Sequence, residues 1–201
     1  MHLLWYLLLG FCLSGCQPNI ENRDRELHLG TASLGGAFYP VGQSASNLVS
    51  KYADGLSMLP VVSAGAIQNP RLVHSGEIDV GITNAYMAWL GVNGEDPYSE
   101  ALNIKALGTI HPSILHMVTL KGSPITAFDQ LRGKRVAVGP AGGGTDGFLE
   151  RLLEVHSMTI DDINPSYLSY TDGFTQLGDG NVDAALALAG YPTSAVMQAL
   201  A

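Results

Sequence analysis

Hydrophobic positions along the chain fall into short blocks, each running into a loop of small residues and then into a helical stripe. Leu27-His28-Leu29-Gly30 reads as a short strand that enters the loop Thr31-Ala32-Ser33-Leu34-Gly35-Gly36. After it, Phe38, Val41, Ala45, Leu48, Val49 and Tyr52 recur at helical spacing on one face, and Asp54-Gly55 ends the pattern. The same order returns later. Arg135-Val136-Ala137-Val138-Gly139 predicts a strand, Pro140-Ala141-Gly142-Gly143-Gly144-Thr145 a loop, and Phe148, Leu149, Leu152 and Leu153 the apolar face of a helix. Two further segments echo each other: Gly76-Glu77-Ile78-Asp79-Val80-Gly81-Ile82 and Gly180-Asn181-Val182-Asp183-Ala184-Ala185-Leu186. Each places glycine, a polar residue, a β-branched residue and aspartate in that order, as a turn feeding a buried strand does.

The remaining blocks fill in the order of elements. Leu59 to Val62 predicts a strand, followed by the loop Ser63-Ala64-Gly65-Ala66-Ile67-Gln68-Asn69 and a short helix over Arg71 to His74. Ile104 to Thr109 and Ile114 to Leu120 predict strands crossing from one half to the other, and Gly122-Ser123-Pro124 a turn. Thr126 to Arg132 predicts a short helix closed by Gly133, and Pro192 to Leu200 another helix. Strands alternating with amphipathic helices argue for parallel α/β sheets, and two copies of the unit argue for two similar lobes.

Composition narrows the function classes. The chain has 201 residues, 46% of them hydrophobic and 14% charged, enough apolar material to fill a core. Its net charge is −8 and Lys and Arg form no cluster, which excludes a nucleic-acid footprint. Both cysteines, Cys12 and Cys16, lie near the start, so the body has neither a disulfide scaffold nor a Cys-based site. The apolar, uncharged run Leu3 to Leu13 is about half the roughly 20 residues a membrane span needs. It suits the apolar core of an export signal. Leu13-Ser14-Gly15-Cys16 resembles the lipobox of bacterial lipoproteins, which implies cleavage and lipidation at Cys16. Residues 1–16 are then a signal peptide and 17–26 a tether. The expected location is the periplasm or outer cell surface, with a lipid anchor as the one attachment to membrane.

Candidate chemistry sits in the glycine loops. A loop entering a helix presents unpaired backbone N–H groups at the positive end of a dipole, which suits anions. Two such loops at matching places would line one cleft if the lobes face each other, and the simplest ligand would carry a carboxylate. Thr83, Asn84 and Tyr86 follow the Asp79 segment and can reach the same cleft. Asp79 and Asp183 read as turn residues, and Arg71 as a surface residue beyond its loop. Gly142, Gly144 and Gly147 satisfy a dinucleotide-type spacing with Asp161 and Asp162 downstream, but no strand visibly ends at those acids. His111 and His116 are five residues apart, which suits neither one helix face nor one strand face, so no metal site is expected. No nucleophile motif is present, and no cofactor is expected.

The run Gly30-Thr31 to Gly35-Gly36-Ala37-Phe38-Tyr39-Pro40-Val41-Gly42 resembles the opening motif of TAXI-type solute-binding proteins of TRAP transporters. Gly65-Ala66-Ile67-Gln68-Asn69, Gly139 to Thr145, Gly180 to Ala184 and Gly190-Tyr191-Pro192 resemble that family's later motifs in the same order. The resemblance implies an α/β, two-lobed, periplasmic-binding-protein-like (type II) fold. Lobe I would span 27–107, a hinge 108–116 and lobe II 117–201, with further strands and helices needed to complete lobe II. It implies capture of a small carboxylate, such as an organic acid or glutamate, and delivery to TRAP permease membrane subunits, without enzymatic activity. Carried over by position, Gly35, Gly36, Phe38 and Tyr39 form one wall of the ligand site. Gly65, Ala66 and Asn69 form a second, and Gly142, Gly143, Gly144 and Thr145 a third, with Asn84, Tyr86, Gly190 and Tyr191 beside them. Ala66 and Gly143 stand where the family commonly has serine, so two hydroxyl donors are replaced. The alternatives are a sensory solute receptor and an enzyme on the same fold.

Overall fold

The computed structural model describes residues 25–199; the signal segment, Cys16 and most of the tether lie outside the described residues. Two sheets organise the chain. In the first, strand β1 (Arg25–Gly30) lies between β2 (Leu56–Val61) and β3 (Val80–Gly81), all parallel. Helix α1 (Phe38–Tyr52) connects β1 to β2, α2 (Gln68–Ser75) connects β2 to β3, and α3 (Ala85–Asn93) follows β3. In the second sheet the order is β4 (Ile114–Val118), β7 (Ala184–Ala189), β5 (Arg135–Ala137), β6 (Asn164–Ser166). Strand β5 is parallel to both neighbours, whereas β4 runs antiparallel to β7, so this sheet is mixed. Helices α4 (Gly144–Val155), α5 (Tyr170–Gly178) and α6 (Ser194–Ala199) accompany this sheet.

The repeated Gly-polar-β-branched-Asp segment has one structural job in both lobes. Asp79 accepts the His28 N–H at 2.9 Å through its carboxylate and returns its own N–H to the His28 carbonyl at 3.1 Å. Asp183 does the same with Arg135, at 2.9 and 2.8 Å. Each aspartate therefore ties the bend before one strand to the neighbouring strand, supplying an acceptor where the regular ladder has not yet begun.

Two packing outcomes differ from the periodicity. Helix α1 packs Phe38, Val41, Ala45 and Val49 against Leu29, Met58 and Ile82, but Leu48 and Tyr52 are 57% and 70% exposed. The centre of the buried face is occupied by Gly42 and Ser46. Gly42 lets the helix approach Thr31, Ile82 and Leu29, and Leu48 then falls about 120–160° around the helix from Gly42 and Ser46. The strand predicted over Ile104 to Thr109 does not form. Leu107 there is 83% exposed, and among the described residues no strand edge reaches the segment, so it has no ladder to join. The following strand, β4, pairs with β7 inside lobe II rather than crossing between lobes.

In lobe II, β7 is apolar throughout because both of its faces are covered. Ala184 and Leu186 join Leu131, Val136, Leu149 and Leu153 on one side. Ala185, Ala187 and Ala189 join Tyr170, Phe174 and Leu177 on the other. The helix expected over Thr126 to Arg132 is a short 3-10 turn, Phe128–Leu131.

Candidate ligand cleft

The cleft is built beyond the carboxyl ends of the parallel strands, where α/β sheets leave helix starts exposed. After β1 come Ala32, Ser33, Gly36, Ala37 and Phe38; after β2, Ala64, Gly65 and Ala66; after β3, Asn84. The segment linking the lobes contributes Ser113, and lobe II contributes Pro140, Gly144, Tyr170 and Leu188. None of these side chains carries a charge. The cleft holds ≈ 380 Å³ of empty space, part of it open to solvent, but the lobes leave only ≈ 20 Å³ for centres of water-sized groups. That is room for about one water, so a larger solute needs the lobes to part.

Helix starts supply the donors. Helix α1 begins at the cleft with Ala37 as its N-cap and no side-chain cap, and it has no acid in its first turn. Helix α4 begins on the opposite wall with Gly143 as its N-cap, again without a side-chain cap. Its first turn holds Asp146, whose carboxylate accepts the Gly142 N–H at 2.9 Å. The α1 terminus is therefore the stronger attractor of an anion, because the α4 dipole already faces a carboxylate. Asn84 caps α3 through its carbonyl oxygen, bonded to the Met87 N–H at 2.8 Å, and leaves its amide NH₂ facing the cleft region near Gly144.

The residues chosen from sequence divide into three groups. Gly36, Phe38, Gly65, Ala66, Asn84 and Gly144 line the cleft. Gly35, Gly142, Gly143 and Gly190 instead make the seam between lobes. The Gly35 carbonyl accepts from Thr193 Oγ1 at 2.8 Å, Ser194 Oγ at 3.1 Å and the Ala195 N–H at 3.2 Å. The Gly142 carbonyl accepts the Ile67 N–H at 3.2 Å. A Cβ on Gly143 would stand 3.1 Å from the Ala64 carbonyl oxygen, and one on Gly190 3.1 Å from the Ala37 methyl, so backbone meets backbone at Gly143 and a side chain meets backbone at Gly190. The third group is engaged elsewhere or does not line the cleft. Asn69 is fully buried; its amide donates to the carbonyls of Gly30, Thr31 and Ile82 at 2.7–3.1 Å while its oxygen accepts from Ser63 Oγ. Thr145 is equally buried and bonds Tyr170 Oη at 2.7 Å and the Leu188 N–H at 2.8 Å. Tyr86 Oη accepts from Arg151 Nε at 3.1 Å. Tyr191 is largely exposed and stacks on His116, and Tyr39 is partly buried outside the lining.

Tyr170, Ser113 and Leu188 belong to the cleft but are absent from the sequence reading. Tyr170 packs its ring where Gly36 approaches, and its hydroxyl also donates to the Leu188 carbonyl at 3.1 Å. Burial raises the phenol pKa, and the hydrogen bond with Thr145 only partly opposes that. A sequence signal for it exists: Ser169 caps α5 by accepting the Asp172 N–H, a helix start directly after a strand, the same context as the glycine loops.

Residues 29–201 match the NMT1-like family. The chain belongs to that family. Among solved structures, the NMT1-like chain is similar to the periplasmic aliphatic sulphonate binding protein SsuA from Escherichia coli, at 22% identity and a TM-score of 0.52, covering 88% of this chain and 57% of that one. It is similar to the alkanesulfonate-binding protein SsuA from Xanthomonas axonopodis pv. citri bound to MOPS, at 21% identity and 0.55, covering 81% and 54%. It is also similar to the ligand binding component of an ABC-type import system from Staphylococcus aureus, at 15% identity and 0.54, covering 82% and 54%. The fold is thus the periplasmic-binding-protein-like α/β fold, and the chain spans a little over half the length of the SsuA structures. All three similar proteins are named for ligand binding.

Proposed function

We propose that this NMT1-like chain forms the ligand-capturing part of an extracytoplasmic solute-binding protein that takes a small carboxylate. The observation that carries the reading is the convergence of two helix N-termini without side-chain caps, α1 and α4, on one cleft from opposite lobes. Backbone N–H groups there hold a monoanionic head without a charged partner, while Phe38, Ala66, the Tyr170 ring and Leu188 accept an apolar tail. Opening turns on a hinge in the 108–116 segment, before it enters β4 at Ile114, between lobe I at 27–107 and lobe II at 117–201. By the TAXI-type resemblance, the solute passes to TRAP permease subunits, and Cys16 carries the lipid that holds the protein at the membrane. The similarity to two sulfonate-binding proteins favours a second reading, a sulfonate in the same cleft, since a sulfonate is also a single-charge oxyanion.

The test is a thermal-melt panel of glutamate, glutamine, 2-oxoglutarate, C4-dicarboxylates, methanesulfonate and MOPS. A solute that binds only the folded form at 100 times its Kd adds about 2.7 kcal/mol and raises the Tm. A rise with a carboxylate supports the first reading, and a rise with the sulfonates alone replaces it by the second. Gly36→Val should abolish either rise, because its Cβ lies against the Tyr170 ring at the cleft wall. A flat panel on folded wild type removes both.

A further inference from the structure

Helix α4 meets lobe I along one line of residues. Gly144, Gly147 and Arg151 are three and four residues apart and share a helix face. A Cβ on Gly144 would lie 3.4 Å from Ala66 Cβ. One on Gly147 would lie 2.8 Å from Ile67 Cδ1 and 2.9 Å from Met87 Cε. Arg151 ends the line by donating to Tyr86 Oη on α3 at 3.1 Å, and Glu154 holds its guanidinium from the α4 side at 3.1 Å. At the cleft end the Ile67 N–H crosses to the Gly142 carbonyl. The two glycines thus bring α4 against lobe I, and the Arg151–Tyr86 pair closes the outer end of the same contact.

We propose that this face of α4 is the closure latch of the molecule, and that Tyr86 acts through Arg151 as a positioning residue rather than on the solute. The inference rests on the two-lobed clamp reading, but its effect is on the fraction of molecules with lobes shut. That fraction multiplies the apparent affinity for any solute the closed form prefers. An exposed pair contributes little, so its loss should shift the closed fraction by a small factor beside the Gly35 and Gly142 seam bonds.

Amide hydrogen exchange on the 201-residue chain tests the latch without a solute. The Ile67 and Ala195 amides bond across the seam, to Gly142 and Gly35, while the Asp79 and Asp183 amides bond within single lobes. Tyr86→Phe and Arg151→Met should each speed exchange at Ile67 about two- to five-fold, with smaller acceleration at Ala195. The double variant should be no faster than either single one, because the two groups act as a unit. Gly147→Leu should exceed them, and Arg151→Lys should restore part of the protection. Asp79 and Asp183 should keep wild-type rates in the Tyr86 and Arg151 variants. Wild-type exchange at Ile67 in both single variants overturns the proposal. So does equal acceleration at Asp79 and Asp183, which would mean loss of lobe stability rather than opening. A latch that behaves as expected beside a flat solute panel leaves the latch standing and removes the solute reading.

Discussion

The two lobes repeat one backbone scheme and secure it with different chemistry. Asp79 and Asp183 make matching reciprocal bonds to the strand beside them. The first loop, after β1, is then held chiefly by one buried amide: Asn69 donates to three carbonyls and accepts from Ser63, and the Ser63 and Thr31 hydroxyls add bonds to the Thr31 and Val61 carbonyls. The second loop, at α4, is held by two hydroxyls, Thr145 and Tyr170, that share the Leu188 N–H and carbonyl between them. Glycines at 30 and 81 make room for Asn69; a Cβ at either would meet its side chain within 3 Å. Repetition in sequence therefore marks where a scaffold recurs, not which side chain locks it. Concentrating a lock in one residue makes lobe I more vulnerable to a single substitution.

That contrast can be broken or sharpened by measurement. The largest effect is expected for Asn69→Leu, which takes a donor from the Gly30, Thr31 and Ile82 carbonyls, although Gly30 keeps the Ile82 N–H and Thr31 keeps the Ser63 hydroxyl. Urea unfolding should show a loss of about 3 kcal/mol or more. Tyr170→Phe comes next, at about 1–2 kcal/mol, because Thr145 keeps its bond to the Leu188 N–H while one buried carbonyl loses a donor. Equal losses in the two variants would erase the distinction between a concentrated and a distributed lock. The smallest effect belongs to Asp183→Asn and is carried by pH. The Arg135 side-chain hydrogen bond, and after it the Arg135 backbone N–H, hold the Asp183 carboxyl below its ordinary 3.8. Its contribution is full above pH about 4 and fades as pH falls through the lower folded value. The Tm difference between wild type and Asp183→Asn should therefore close on acidification. A gap that stayed constant down to pH 2 would assign the effect to packing rather than charge.

Much of the cleft was legible because its glycines have local causes. Gly35, Gly65 and Gly142 all have positive φ, the left-handed backbone that a loop turning into a helix demands. Their positions mark the loops correctly, yet only Gly65 of these three lines the cleft, and the other two give their carbonyls to the seam. Asn69 and Thr145 have the polar character of ligand contacts, but burial commits them to the backbone. Arg151 gave no local sign of meeting Tyr86, 65 residues away.

From the sequence alone came the two-lobed α/β plan, the loops at strand ends and most of the element order, without α3, β6 and α5 and with a strand over 104–109 that does not form. Periodicity, turn chemistry and glycine demand are properties of neighbouring residues. Tertiary structure decided which loop atoms face the cleft, which close the seam and which lock a lobe. Those outcomes depend on partners distant in sequence, such as Thr145 with Tyr170 at 25 residues and Asn69 with Gly30 at 39. A polar side chain satisfies whichever buried carbonyl or hydroxyl the packing brings to it, and no local pattern records that choice.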